Sequence, residues 1–353
     1  MQLSGFPAAE VEFDRAGELA GDRGAAVRAL AADPAVTDLV VLTPGWNDGH
    51  LVARLLCSAL VGSLRAVSGG LPGRRIAFAC VLWPSRKLTE PGAGLTGRLD
   101  LLRDLLPEQR LTIDAAADLV PALTARATAR TAFAAALLSA AARGADDHED
   151  ASTQLFALPG GMVMDRLGAT DLLDFLAYYE LKARAGAVGV RGLAPLLAGV
   201  TGPKVHLVGH GFGGRLVTAA ADAAASVASV RTLTLLQATL SHHAFTGTFR
   251  RIVTEGVVTG PIVVTHSAHD DAVGVPFAIA SRIVEAAPGC FGALGRTGAQ
   301  GIAEAGELVP VGGAYHWKPG VPHNLRADRF VRSHTDVCGP EIAHALWSAI
   351  AAS

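Results

Sequence analysis

The sequence predicts an α/β fold built around a mostly parallel central sheet. Short apolar runs of strand length alternate with segments of helical periodicity along most of the 353 residues. Half of the residues are hydrophobic and 18% are charged, so the chain can bury a sizeable core and is not expected to be disordered. We expect one domain over residues 1–353. Helices flank its central sheet, and a helical insertion interrupts it.

The first predicted strand covers residues 38–43, whose unbroken apolar character is typical of a strand buried on both faces. The turn Pro44-Gly45-Trp46-Asn47-Asp48 ends it, and residues 49–67 follow with leucines and valines at helical spacing. A second strand, IAFACVLW, covers residues 76–83 and stops at Pro84. These elements form the first β-α-β unit of the predicted sheet.

Further strands and helices continue the alternation. Residues 205–208 form a third predicted strand, and residues 215–227 form a helix of small residues after it. Residues 232–236 and 262–265 are further predicted strands. Residues 339–352 are predicted to form a closing helix.

The long segment between the second and third strands is predicted to be a helical insertion. Residues 88–168 far exceed the dozen or so residues that a simple crossover requires. They are rich in Ala, Leu and Arg and include leucines that fit an amphipathic helix, namely Leu101, Leu102, Leu105 and Leu106. We interpret this segment as a cap or lid, followed by a core helix over residues 171–185.

Charge and cysteine content narrow the functional classes. The net charge is −2 and no lysine- or arginine-rich run is present, which argues against a nucleic-acid partner. The four cysteines are far apart and form no CxxC pair, which favours free thiols in a reducing compartment. The amino terminus lacks the pattern of a signal peptide, and the apolar run at residues 132–142 is too short to span a bilayer. We therefore expect a soluble cytoplasmic protein that does not bind membranes.

Residues 205–214, VHLVGHGFGG, form a strand that enters a glycine-rich turn and then a helix. A strand, G-x-nucleophile-x-G and a helix make up the nucleophile elbow, whose small residues let the chain turn tightly. Gly209, Gly213 and Gly214 hold the small positions, and Gly211 stands where the nucleophile belongs. A phosphate-binding loop requires Lys-Ser or Lys-Thr after its glycines, and neither pair follows here. A dinucleotide-binding turn usually belongs to the first βα unit, whereas this turn follows the third predicted strand.

A carboxylate and an imidazole follow later strands in the order nucleophile, acid, histidine. Residues 266–273, HSAHDDAV, come directly after a predicted strand. Asp270 is the preferred acid because its spacing to Val273 suits the turn, and Asp271 is the close alternative. The alternative explanation for an aspartate here is a helix N-cap, although the sequence favours the acid. His334 is the candidate base, although a histidine in a surface loop has no necessary role.

These motifs together resemble the α/β-hydrolase superfamily over about residues 38–352, apart from the insertion. The most specific element is VHLVGHGFGGRLV, which is similar to the esterase- or lipase-like elbow GHSFGGRLV with glycine at position 211 in place of serine. The resemblance implies that the backbone N–H groups of Trp46 and Phe212 form an oxyanion hole. Residues at the same sheet edge are expected to contact substrate, namely Gly45, Asn47, His210, His242 and Trp83.

Gly211 has no hydroxyl group, so covalent serine catalysis at this position is excluded. The glycine could be an inactivating substitution in an ester hydrolase, or natural, with His334 deprotonating a water molecule. The alternatives are a lyase- or cyclase-type enzyme and a non-catalytic pseudo-hydrolase that binds a small molecule. Because Asp270 and His334 are both retained, the sequence favours a hydrolase acting on ester-type bonds of a small-molecule substrate.

No cofactor is implied by these motifs, and no metal site is expected. Eight histidines fall in the last third of the chain, but their spacing is loose and no HExxH motif occurs.

Overall fold

The structure is a computed structural model that describes residues 1–21, 23–45, 50–68, 70–85, 94–141, 158–225, 230–274, 279 and 291–353. The chain divides into two compact units. The first unit comprises Met1–Arg86, Arg184–Val273 and Ala293–Ser353. The second unit comprises Lys87–Ala183 and Gly274–Gly292, and the predicted insertion at residues 88–168 lies within it.

The first unit contains a nine-stranded, mostly parallel sheet. Its strands are β1 (Gln2–Leu3), β2 (Phe6–Glu12), β3 (Asp38–Thr43), β4 (Ile76–Leu82), β5 (Lys204–His210), β6 (Val230–Leu236), β7 (Ile262–His266), β8 (Glu304–Glu307) and β9 (Pro322–Arg326). The spatial order is β1-β2-β4-β3-β5-β6-β7-β9-β8, and β1 alone runs antiparallel to its neighbour. The α/β class and the mostly parallel sheet predicted from the sequence are confirmed.

Helices flank this sheet in the first unit. They are α1 (Arg23–Ala32), α2 (His50–Val67), α8 (Ala194–Ala198), α9 (Phe212–Ala223), α10 (Arg250–Thr254), α11 (Leu294–Thr297) and α12 (Pro340–Ala351). The second unit contains α3 (Leu95–Leu105), α4 (Arg110–Ala117), α5 (Ala127–Ala141), α6 (Gly160–Arg166) and most of α7 (Ala169–Val188). A π-helical turn, Gly189–Leu193, continues α7.

The core lies on both faces of the sheet. Val40 and Leu42 of β3 belong to an apolar cluster shared with α2 and α12, and the Trp347 indole N–H donates to the Leu64 carbonyl across these helices at 2.8 Å. Leu39 and Val41, which point to the opposite face, are equally buried. Burial on both faces explains why the strand reads as a continuous apolar run.

Helix α2 is the one helix in the described ranges that is long and apolar enough to cross a bilayer, with 18 residues and a mean hydropathy of 1.4. Four of its buried residues belong to the core cluster, namely Cys57, Leu60, Val61 and Leu64. A core helix meets the same criterion, so this is weak evidence for a membrane protein.

A buried polar network lies at the amino-terminal edge of the sheet. The Asp38 carboxylate accepts hydrogen bonds from the Arg74 guanidinium and pairs with His206 Nε2 at 2.9 Å. His206 Nδ1 lies 3.0 Å from the Thr232 hydroxyl on β6. Burial raises the pKa of Asp38, but hydrogen bonds from Arg74, His206 and Thr37 outweigh it and hold that pKa far below its usual range. The network ties three adjacent parallel strands together.

Several elements differ from the sequence-based predictions. Strand β5 extends through His210, and α9 begins at Phe212 rather than at residue 215, because the chain passes from strand to helix within a single residue. Strands β1, β2, β8 and β9 were not predicted from the sequence. Strand β8 has only exposed residues, so it carries no apolar run that would reveal it.

Candidate active site

The turn after β5 has the geometry of an elbow. Gly211 has φ 55° and ψ −124°, a region that L side chains rarely adopt and that glycine reaches without a clash of Cβ. Its N–H donates to the Leu236 carbonyl at 3.1 Å, and its carbonyl accepts from the Thr239 N–H at 2.9 Å. The turn is therefore fixed to the segment that follows β6.

The small residues around Gly211 are required by close backbone approach. A Cβ on Gly209 would lie 2.4 Å from the Gly213 carbonyl oxygen, and a Cβ on Gly213 would lie 1.9 Å from the Thr43 oxygen. A Cβ on Gly45 would lie 2.5 Å from the Phe212 nitrogen. Hence the turn after β3 packs directly on the elbow, where only glycine fits.

This contact lies at the topological switch point of the sheet. The chain leaves β3 towards β4 on one side and leaves β5 towards β6 on the other. The carboxyl ends of two such strands form the crevice in which ligands bind to open α/β sheets. Gly45 and Gly211 lie just beyond the carboxyl ends of β3 and β5, at this switch point.

Asp270 and His334 meet at the same edge. Asp270 follows β7 and is fully buried, and His334 follows β9 and is 5% exposed. His334 Nδ1 lies 3.0 Å from Asp270 Oδ2 and 3.2 Å from Oδ1. Because a carboxylate only accepts hydrogen bonds, Nδ1–H donates to Asp270, and the uncharged tautomer with this proton has its lone pair on Nε2.

The imidazole of His334 faces the elbow. A Cβ built on Gly211 would lie 2.8 Å from His334 Nε2 and 3.2 Å from the neighbouring ring carbon. A separation of 2.8 Å is closer than real Cβ atoms approach a neighbour, so a side chain at position 211 requires the imidazole to move. Thus the ring nitrogen that bears the lone pair reaches the position that a nucleophile's side chain would occupy.

The loops that carry Asp270 and His334 are tied to each other. The buried Ser267 hydroxyl donates to the Val331 carbonyl at 2.8 Å, and the Ala268 N–H donates to Asp328 Oδ1 at 2.8 Å. These bonds join the turn after β7 to the loop after β9. They fix Asp270 and His334 relative to each other.

Asp271, the alternative acid, is in a different environment. Its side chain is 83% exposed and pairs with Arg296 at 2.7 Å. Of the two adjacent aspartates, Asp270 is the one that contacts His334.

His210 contacts His334 from the strand. Its Nε2 lies 2.8 Å from the His334 carbonyl oxygen, and the two rings are in contact, tilted by 39° with centroids 4.6 Å apart. Burial, together with the nearby His334, lowers the pKa of His210 to about 3. His210 is therefore neutral, with Nε2–H donating to that carbonyl.

The other predicted contact residues have varied surroundings. The buried Trp83 indole N–H donates to the Pro44 carbonyl at 2.8 Å, which braces the turn after β3. His242 is buried and its Nδ1 lies 3.1 Å from the Thr297 hydroxyl. Phe212 is the first residue of α9 and directly follows Gly211. The predicted positions Trp46 and Asn47 lie outside the described residues.

Gln237 is a site residue that the sequence analysis missed. It follows β6 directly, is fully buried, and its Nε2 donates to Asp270 Oδ2 at 3.2 Å. Its position just after a strand of the sheet, at the same edge as the other site residues, is the signal that could have identified it. Within the described residues, no group of three or more His, Cys, Asp or Glu side chains could hold a metal ion.

Comparisons with protein-family models, with curated proteins and with solved structures find no match. The mostly parallel sheet with flanking helices is compatible with an α/β-hydrolase fold.

Proposed function

We propose that this chain has an α/β-hydrolase fold and that its site performs general acid–base chemistry on an ester-type carbonyl, without a covalent acyl-enzyme. The observation that carries the proposal is the buried Asp270–His334 pair, whose Nε2 faces Gly211 in the turn after β5. The order of the three positions supports the same fold, since each follows the carboxyl end of its own strand.

In the proposed reaction, His334 acts first as the base. Asp270 holds Nδ1–H, so Nε2 can remove a proton from a water molecule as its oxygen attacks the carbonyl carbon. The resulting imidazolium is stabilised by Asp270 and returns the proton to the leaving-group oxygen when the C–O bond breaks. We assign to the Phe212 backbone N–H, at the start of α9, the stabilisation of negative charge on the carbonyl oxygen.

The expected rate is low. Loss of a triad serine costs about a million-fold in turnover, whereas about 10³- to 10⁴-fold acceleration over water persists from the remaining groups and from binding. An assay of the unmodified protein must therefore be sensitive to slow turnover. Activated aryl esters are suitable because their leaving groups need little protonation.

Restoring a nucleophile tests the site directly. Gly211→Ser is expected to introduce hydrolysis of aryl esters with a burst of released phenol, which marks an acyl-enzyme. The positive φ costs a side chain at this position about 1–3 kcal/mol, and the imidazole must move away from the added Cβ, which would otherwise lie 2.8 Å from Nε2. Gly211→Ala is the matched control, because it adds the same Cβ without an oxygen.

The unmodified protein tests the non-covalent reaction. We expect slow ester hydrolysis without a burst, and loss of that activity in His334→Ala and in Asp270→Asn. Hydrolysis that persists at the same rate in both variants would contradict the assigned roles.

A non-catalytic binding protein is the second candidate, and Gly211 itself favours it because the nucleophile's side chain is absent. This candidate predicts that the unmodified protein binds a small molecule without turning it over. It also predicts that His334→Ala changes the affinity for that molecule, while neither protein turns it over.

A further inference from the structure

Gln237 adopts a backbone conformation that is uncommon for its residue type. Among the described residues, Ser4 and Gln237 are the non-glycine residues with positive φ, and Gln237 has φ 46°. Ser4 lies in an exposed turn, whereas Gln237 is fully buried. Strained backbone of this kind persists where the surrounding structure holds it, and it clusters at functional sites.

The amide of Gln237 is held in one orientation by three partners. Nε2 donates to the Gly295 carbonyl at 2.8 Å and to Asp270 Oδ2 at 3.2 Å. Oε1 accepts from the Thr265 hydroxyl at 2.9 Å. Because a carbonyl and a carboxylate both require a donor, Nε2 must point towards Asp270.

The backbone of Gln237 is equally constrained. A Cβ on Gly295 would lie 2.5 Å from the Gln237 carbonyl carbon, so the two backbones are in direct contact. Leu236, directly before Gln237, and Thr239, two residues after it, both hydrogen-bond to Gly211. One short segment therefore links the elbow to the acid.

We propose that Gln237 is a positioning residue that fixes the Asp270 carboxylate so that it accepts the Nδ1–H of His334. Asp270 Oδ2 receives hydrogen bonds from both side chains, and Oδ1 also accepts from the Val273 N–H at 3.3 Å. Gln237 prevents the carboxylate from rotating away from the imidazole. This role rests on the proposed function, in which Asp270 and His334 are the reacting pair.

Two substitutions separate positioning from packing. Gln237→Asn suits the backbone, because asparagine tolerates positive φ better than most residues, but its shorter side chain loses contact with Asp270. Gln237→Met keeps the length of the side chain and removes the amide. Gln300→Asn is the matched control, since the Gln300 amide donates to the Thr297 carbonyl at 2.9 Å and has no contact with Asp270.

The first readout is the NMR signal of the His334 Nδ1 proton in ¹⁵N-histidine-labelled protein with glycine at position 211. We expect the downfield Nδ1–H signal in the unmodified protein and in Gln300→Asn, and its loss or upfield shift in both Gln237 variants. This measurement needs no catalysis, so it judges the positioning role even if the proposed function fails.

The second readout is the rate of phosphonate labelling in the Gly211→Ser background. Relative to Gly211→Ser alone, each Gln237 variant is expected to be labelled about tenfold more slowly, which corresponds to the loss of one hydrogen bond to a charged group. The labelling rate of Gln300→Asn is expected to remain within about twofold of that parent. If both Gln237 variants fold and keep the Nδ1–H signal and the labelling rate, the positioning role is overturned. If Gly211→Ser does not label at all, the proposed function fails and the NMR signal alone decides on Gln237.

Discussion

Replacing His210 by glutamine is expected to remove a pH dependence from the folding stability. His210 is 3% exposed, and its Nε2–H donates to the His334 carbonyl at 2.8 Å. Burial, together with the nearby His334, lowers the pKa of His210 from 6.5 to about 3. A glutamine amide has a similar reach and can donate the same hydrogen bond, but it takes up no proton in this range.

The direction in which stability changes with pH follows from the lowered pKa of His210. As the pH falls below 6.5, the unfolded chain binds a proton at His210 while the folded chain does not, so acidification favours unfolding. The stability from neutral His210 is complete above pH 6.5 and is lost progressively as the pH falls towards about 3. Each pH unit lowers the free energy of unfolding by about 1.4 kcal/mol, which gives about 2 kcal/mol at about pH 5.

Urea unfolding followed by circular dichroism measures this effect. The difference in unfolding free energy between the parent protein and His210→Gln should change by about 2 kcal/mol between about pH 7.5 and about pH 5. Other titrating groups occur in both proteins and cancel in the difference. Replacing the exposed His316 by glutamine is the control. A His210→Gln difference that is constant to within about 0.5 kcal/mol would refute a neutral, buried His210.

Two further substitutions test the scaffold that holds the site. Asp38→Asn leaves the partly buried Arg74 without its anion, so it is expected to lower the free energy of unfolding in urea by about 3 kcal/mol. The control Asp271→Asn removes an exposed ion pair and should change that free energy by less than about 1 kcal/mol. Gly213→Ala brings a Cβ to 1.9 Å from a backbone oxygen of β3 and should lower the melting temperature sharply, whereas Gly199→Ala, with its nearest contact at 3.5 Å, should not. Equal effects within either pair would contradict the packing described.

The sequence predicted the central strands well because burial on both faces leaves a strong signal. Strands β3 and β4 are wholly buried; β4 is an unbroken apolar run, and β3 has the apolar run LVVL between Asp38 and Thr43. The edge strands carry no such run, since β8 is exposed and β1 has two residues. Edge strands are specified by pairing with a neighbour, which a single sequence does not display.

The site could be predicted in part for a similar reason. Asp270 and His334 follow strands of the sheet, and parallel strands bring their carboxyl ends to one edge. Gln237 occupies a comparable position after β6 but carries no catalytic signature in its residue type. Its role depends on a buried three-way amide contact and a positive φ, which are properties of the folded chain.

The most direct test of the proposed site is the mass of the Gly211→Ser protein after exposure to a serine-directed phosphonate. The account predicts a single adduct at position 211 in this protein, and none when His334→Ala is added. An adduct that forms equally well without the His334 imidazole, or no adduct at position 211 in a folded Gly211→Ser protein, would contradict it.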